Sequence, residues 1–136
     1  MRRPFAPDTR GATAIEFALL APVFLLLLFG IIEVGRLLWV KQVLTEASYS
    51  AARCAALGTS ACKAASDVQA FAAARALRWG LKLDSAQVGY TASTTCDGNA
   101  AMVQVTASYA FASPLSGFLT MLPATVQAHG CFPKLS

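Results

Sequence analysis

Charge is what this chain has least of. Of its 136 residues, 13% are Asp, Glu, Lys or Arg, where a soluble domain carries about 25%. With 56% hydrophobic residues beside so little charge, part of the chain is expected in lipid. The formal net charge of +4 is spread, +2 over residues 1–11, zero over 12–41 and +2 over 42–136, so no basic stripe marks a nucleic-acid footprint and no nucleic-acid partner is expected. Histidine is limited to His129, which reads as a structural or surface residue, and no CxxC pair occurs. A metal site therefore lacks its usual spacing. The seven acidic residues are scattered, no Ser-His-Asp spacing stands out, and no Gly-rich phosphate loop is present. No catalytic residue, cofactor or metal is nominated, and the chain does not read as an enzyme.

What is present begins with an apolar run. Phe17 to Ile32 is sixteen residues without a charge, then Glu33 and Arg36 fall three apart on one helix face, and Leu37 to Val40 resume the pattern before Lys41. With the Ala12–Ile15 turn this exceeds the roughly 17–25 residues a spanning helix needs. Trp39 sits where an interfacial anchor would. Arg2, Arg3 and Arg10 precede the run and Arg36 and Lys41 follow it, which tilts the positive-inside rule to a cytoplasmic N-terminus. The four cysteines, Cys54, Cys62, Cys96 and Cys131, all follow the run. An even set on that side fits disulfides in an oxidising space. Three pairings are open, and Cys54–Cys62, closing a short loop, with Cys96–Cys131 bridging two strands is the preferred one.

No Gly or Pro falls between Gly35 and Gly58. One long helix is expected from about Ala12 to Leu57, about 70 Å long at 1.5 Å per residue, with Gly58 as C-cap. A second helix follows, capped by Ser66 or Asp67, with Val68, Phe71, Ala72, Arg75, Leu77 and Leu81 on a mainly apolar face, ending near Gly80. The period then changes to that of strands. Strands are expected over 86–96, 102–111 and 124–132, with Asp97-Gly98-Asn99 as a turn and Val103, Val105, Ala107, Tyr109 and Phe111 alternating along one face. The loop between Pro114 and Pro123, with Leu115, Phe118, Leu119, Met121 and Leu122, is expected to tuck onto the core. The fold class is α+β: a long N-terminal transmembrane helix, a second helix and a small three-stranded antiparallel sheet.

One residue resists this reading. Glu16 stands at the threshold of the apolar run, where a carboxylate costs about 2.5–3.5 kcal/mol on insertion scales. Gly11 followed by Ala12-Thr13-Ala14-Ile15 and then Glu16-Phe17 resembles the prepilin processing motif of type IV filament systems. The longer stretch RGATAIEFALLAPVFLLLLFGIIEVGRLL resembles the N-terminal region of TadE-like proteins, minor pseudopilins of the Tad (tight adherence, Flp pilus) machinery. TadF-like and TadG-like relatives share the motif, and the length of this chain favours the TadE-like class.

The resemblance implies a pilin-like fold and cleavage between Gly11 and Ala12 by a prepilin peptidase. It implies a cytoplasmic leader over 1–11, the transmembrane half of the long helix over 12–41 and a periplasmic α+β domain over 42–136. The protein would be a single-pass inner-membrane protein of a bacterium, a structural subunit of pilus assembly and secretion, placed in the filament or beside it. Its partners would be the prepilin peptidase, other pilins and pseudopilins, the Tad inner-membrane platform and inner-membrane lipid. Glu16 would meet the α-amine that cleavage exposes on Ala12, its own or a neighbour's, since four residues is one helical turn. Phe17 belongs to the same assembly motif. Pro22 removes one N–H and crowds the Ala18 carbonyl, so a helix kink is expected there. The alternative is an unprocessed, signal-anchored periplasmic binding module or adhesin, whose Leu115–Leu122 loop recognises a ligand.

Overall fold

A computed structural model of the chain describes residues 9–115, 117 and 122–134. Three helical or strand regions carry the expectations above to their test: one long helix, one short helix and one sheet. Phe118, Leu119 and Met121, on which the expected tucking of the loop depends, lie outside the described residues, as do residues 1–8 of the expected leader.

Within the described residues the long helix, α1, runs Thr9–Ala56, so it is already helical before Ala12. By its contacts the chain forms two units, one up to Gly35 and one from Arg36 onward. In the first unit the apolar side chains of α1 face outward: Phe17, Leu19 and Leu20 are all at least 68% exposed. In the second, Val40, Val43, Leu44, Ala47, Ala51 and Cys54 recur three or four residues apart and are buried, which makes one continuous apolar stripe. Leu57 ends the helix and Gly58, at φ +61°, turns the chain. Its N–H donates to the Ala55 carbonyl at 3.1 Å, a left-handed stop that a side chain would strain.

Helix α2 spans Ala65–Arg78. Its N-cap is Ala64, not Ser66 or Asp67; Asp67 lies in the first turn and its Oδ2 accepts from the Ala64 N–H at 3.0 Å. A carboxylate reaching back from the third helical position satisfies the N-cap N–H, the half of a capping box that an alanine cap leaves possible. The buried stripe is Val68, Ala72 and Ala76, whereas Leu77, expected on the apolar face, is 60% exposed. The reason is angular: Ala76 follows Ala72 by four residues and takes the inward position, which turns Leu77 out. Leu81, beyond the helix, is buried after its N–H closes on the Ala76 carbonyl at 3.1 Å.

Three strands follow, β1 Val88–Cys96, β2 Asn99–Ala110 and β3 Thr125–Pro133, in the order β1-β2-β3 and antiparallel throughout. The architecture is α+β. Asp97 and Gly98 form the two-residue hairpin turn between the paired Cys96 and Asn99, both with positive φ (50° and 82°), as a type I′ Asp-Gly turn requires. Val105, Ala107, Val126 and Ala128 close the core with Leu44, Val68 and Val88, and Val103, on the same face of β2, is buried as well.

The close approach of α1 to the sheet depends on Gly130. A Cβ built there would collide with the backbone of Ser48 and Tyr49. Ser48 itself is wholly buried, and its hydroxyl has no hydrogen-bond partner among the described residues. Beside this contact the Tyr49 and Phe132 rings meet edge to face, centroids 6.0 Å apart. The two helices are tied at the surface by Glu46, which accepts from Ser50 Oγ at 3.1 Å and pairs with Arg75 at 3.6 Å. Gln69 Nε2 donates to the Val88 carbonyl at 2.8 Å and joins α2 to β1.

Candidate functional site: the start of the long helix

The residues singled out at the N-terminus share one element. Gly11, Ala12, Glu16, Phe17 and Pro22 all belong to α1. The backbone of Ala12 and that of Glu16 are thus one helical turn apart, about 6 Å along the axis. Gly11 and Glu16 are exposed, and no atom beyond the helix's own backbone and the adjoining residues comes within 4 Å of where a Gly11 side chain would begin. Among the described residues of the helix, 9–12 include no acid. Pro22 lies inside the helix, which continues through it; the Ala18 carbonyl loses the N–H it would otherwise receive.

Past Glu16 the surface is apolar without relief. Ile15, Phe17, Leu19, Leu20, Val23, Phe24, Leu26 and Ile31 are each more than 60% exposed. Among the described residues one helix is long and apolar enough to cross a membrane, within Thr13–Ala56, and none of its most apolar window is buried by the rest of the chain. An exposed apolar surface of that size is what a membrane-spanning or helix-packing segment presents. Where α1 enters the second unit, the Arg36 guanidinium lies over the Phe111 ring, 5.4 Å from its centroid, a cation–π contact. Glu33, nearby in sequence, is buried with 4% of its surface exposed.

The cysteines form a second focus. The structure joins Cys54 to Cys62, with Cα atoms 5.8 Å apart, and Cys96 to Cys131, with Cα atoms 6.4 Å apart. The first closes the end of α1 onto the single 3-10 turn Ser60–Cys62. The second runs between β1 and β3, the two edge strands, across the end of β2. In a flat sheet those strands would be about 9.5 Å apart. Two irregularities bring them together: an extra residue in β1 between Thr91 and Thr94, and one in β2 before Met102, where Ala101 takes φ +56°. Bulges bend and twist a strand locally.

The bulge in β1 also decides which way Cys96 faces. Val88 pairs with Ala107 on the core face, and strict alternation from Val88 would turn Cys96 to the core as well. After the bulge, Thr94 pairs with Met102, so Cys96 changes to the face of Gln104, Thr106, His129 and Cys131. His129 Nε2 lies 3.7 Å from Asp97 Oδ1, and Gln104 Nε2 reaches Cys96 Sγ at 3.5 Å. The sequence reading left His129 without a companion. Two signals placed it: the Asp-Gly hairpin, which fixes Asp97 beside Cys96, and the alternation of β3, which sets His129 and Cys131 on one face. The β1 bulge had no such signal.

The chain joins a long, outward-facing apolar N-terminal helix to a small α+β domain. The model of the TadE-like protein family matches residues 11–53, the greater part of α1, and supports a TadE-like protein of the Tad pilus system. That family is structural and pilus-associated. No curated protein and no solved structure matches the chain.

Proposed function

We propose that the chain is a minor pseudopilin of a Tad/Flp pilus assembly and secretion system, cut by prepilin peptidase between Gly11 and Ala12 and acting without catalysis as a structural or assembly subunit. The observation that carries this reading is Glu16, an exposed carboxylate at the head of an exposed apolar helix, one turn after Ala12. The family match beginning at residue 11 supports it. Cleavage leaves an α-amine on Ala12. An acid that would be costly alone in lipid then has a cation to meet, on its own chain or on a neighbour. Met in trans, the pair fixes the stagger of adjoining helices, because one register alone brings acid and amine together.

The surroundings of Gly11 suit a substrate. Gly11 costs the helix about 1 kcal/mol of propensity against Ala, and nothing beyond the helix's own backbone and the adjoining residues comes within 4 Å of where a side chain would begin. The segment can unwind to present the Gly11–Ala12 bond. The peptidase acts on the cytoplasmic face, the helix lies in the inner membrane, and the disulfide-bearing domain stands in the periplasm. Pilins and pseudopilins pack along the exposed face of α1, and the inner-membrane platform of the system receives the processed chain.

N-terminal sequencing with and without a prepilin peptidase tests the reading. With the enzyme the chain is expected to begin at Ala12; a chain still beginning at Met1 overturns it. Glu16→Ala is expected to leave cleavage in place and to abolish or strongly reduce piliation. Normal piliation in that variant removes the register role while leaving processing intact.

A further inference from the structure

Cys96, Asp97, His129 and Cys131 bring four donor atoms to within 4.8 Å of one another. Nothing in the helix-based function uses His129 or Asp97. Each donor is set by a separate feature of the sheet: Cys96 by the β1 bulge, Asp97 by the hairpin turn, His129 and Cys131 by the alternation of β3. Asp97 Oδ2 lies 4.0 Å from Cys96 Sγ, and its other oxygen 3.7 Å from His129 Nε2. The Cα atoms of the two cysteines are 6.4 Å apart. Among the described residues, the Cys54–Cys62 pair gathers no such company.

We propose that this end of the sheet is a metal site governed by the Cys96–Cys131 bridge: with the bridge reduced, Cys96, Cys131, His129 and Asp97 bind one zinc(II) ion. Two thiolates, an imidazole and a carboxylate are a donor set that zinc takes as a tetrahedron. With bonds of about 2.0–2.3 Å, donors on such a tetrahedron lie roughly 3.3–3.8 Å apart, so the most distant donors need to close by about an ångström, while the two sulfurs, about 2.0 Å apart in a disulfide, part by nearly two once the bridge is reduced. Gln104 Nε2, already directed at Cys96 Sγ at 3.5 Å, supplies the outer hydrogen bond that steadies a ligating thiolate. The side chains of His129 and Asp97 are 53% and 73% exposed, so an ion reaches the site from solvent without opening the core.

The exchange balances. A dithiol donates two electrons and two protons to the Cys96–Cys131 disulfide by thiol–disulfide exchange and leaves as its own disulfide. The two thiols then release two protons to solvent as zinc takes their place. The disulfide and the metal are therefore alternative staples of one place in the sheet, and neither state leaves the edge strands unjoined.

The test uses the full chain in detergent, in a Cys54→Ala/Cys62→Ala background so that the site holds the remaining cysteines. A trialkylphosphine, which becomes its oxide, serves as reductant because it does not compete for zinc as a dithiol does. Zinc alone is the probe for stoichiometry and affinity, and cobalt(II) for spectroscopy. The reduced chain is expected to hold one zinc at least about a hundredfold more tightly than the disulfide form. With cobalt it should show the thiolate charge-transfer and visible bands of a tetrahedral site. His129→Ala should weaken zinc at least about tenfold and shift the cobalt bands, with a smaller loss for Asp97→Asn. Zinc binding in the reduced chain no tighter than in the disulfide form overturns the proposal. So does a His129→Ala variant with unchanged affinity and spectrum, and that variant needs no change at either cysteine.

Discussion

Leucine behaves in opposite ways in the two units of this chain. Leu19 is 71% exposed in the first, and Leu44, on the same helix, is 0% exposed in the second. The helix does not change between them; what it is packed against does. From Arg36 onward the apolar stripe of α1 meets α2 and the sheet, and small residues stand on both sides of the contact: Ala47 and Ala51 on α1, Ala72 and Ala76 on α2 and Ala107 on β2 are all buried. Small side chains bring backbones close, which wins dispersion at short range but leaves no slack. Up to Gly35 the large apolar side chains of the helix are exposed, and Glu33 is the buried one among its described charged residues. One element thus has two kinds of surface. The second unit makes its own apolar interior, and the first presents its apolar side chains outward.

The largest expected effect breaks that comparison most directly. Leu44→Ala should destabilise the domain by about 3–4 kcal/mol, as truncation of a wholly buried leucine does. Leu19→Ala should change it by less than about 0.5 kcal/mol. Denaturant unfolding of the detergent-solubilised full chain, followed by near-ultraviolet circular dichroism from the domain aromatics, measures both. Equal losses at the two positions would mean that Leu19 is packed against the domain after all.

Gly130 sharpens the same point at backbone level. Gly130→Ala places a methyl group on the Ser48–Tyr49 backbone, and the expected loss is about 3 kcal/mol, with strand and helix forced apart. The equivalent change at Gly30, where nothing lies within 4 Å of an added Cβ, should instead raise helicity slightly by the propensity difference of about 1 kcal/mol. A loss in the domain transition for Gly130→Ala, beside a small gain in far-ultraviolet helicity for Gly30→Ala, is the expected result.

Next comes the bridge at the end of α1. Cys54→Ala/Cys62→Ala opens a loop with a sequence separation of 8. Its expected cost is about 2.5 kcal/mol by loop-closure entropy. The loss should appear in the domain transition alone. A fall in the helicity of the first unit would couple regions that the comparison holds independent.

Much of this was legible in the residues. The α1 stripe, the Ala-rich second helix and the alternation of Val103, Val105 and Ala107 each follow a period that only one element satisfies. The Asp-Gly turn has a backbone requirement that few dipeptides meet. What escaped was fixed by tertiary context. Leu77 reads as core by composition, yet Ala76 holds the inward position. The bulge between Thr91 and Thr94 lies in a run of small polar residues, TASTT, that carries no apolar alternation to betray a slip. Gly130 looks like a weak point in a strand until the helix behind it is known. At the N-terminus, Gly11 and Glu16 were visible as a pair by spacing, whereas the role assigned to them rests on a charge that exists only after cleavage.

The smallest effect belongs to the start of α2. Helix α2 has Asp67 in its first turn, with Oδ2 accepting from the Ala64 N–H at 3.0 Å. It both satisfies an orphan donor and sits at the positive end of the macrodipole. Asp67→Ala should cost the domain about 1 kcal/mol; Asp67→Asn, which keeps the acceptor and removes the charge, should cost less, and the loss from the charge should shrink with salt. The two variants separate acceptor from charge: an Asp67→Asn as costly as Asp67→Ala, with a loss that salt removes, would assign the whole effect to the macrodipole and none to the Ala64 N–H.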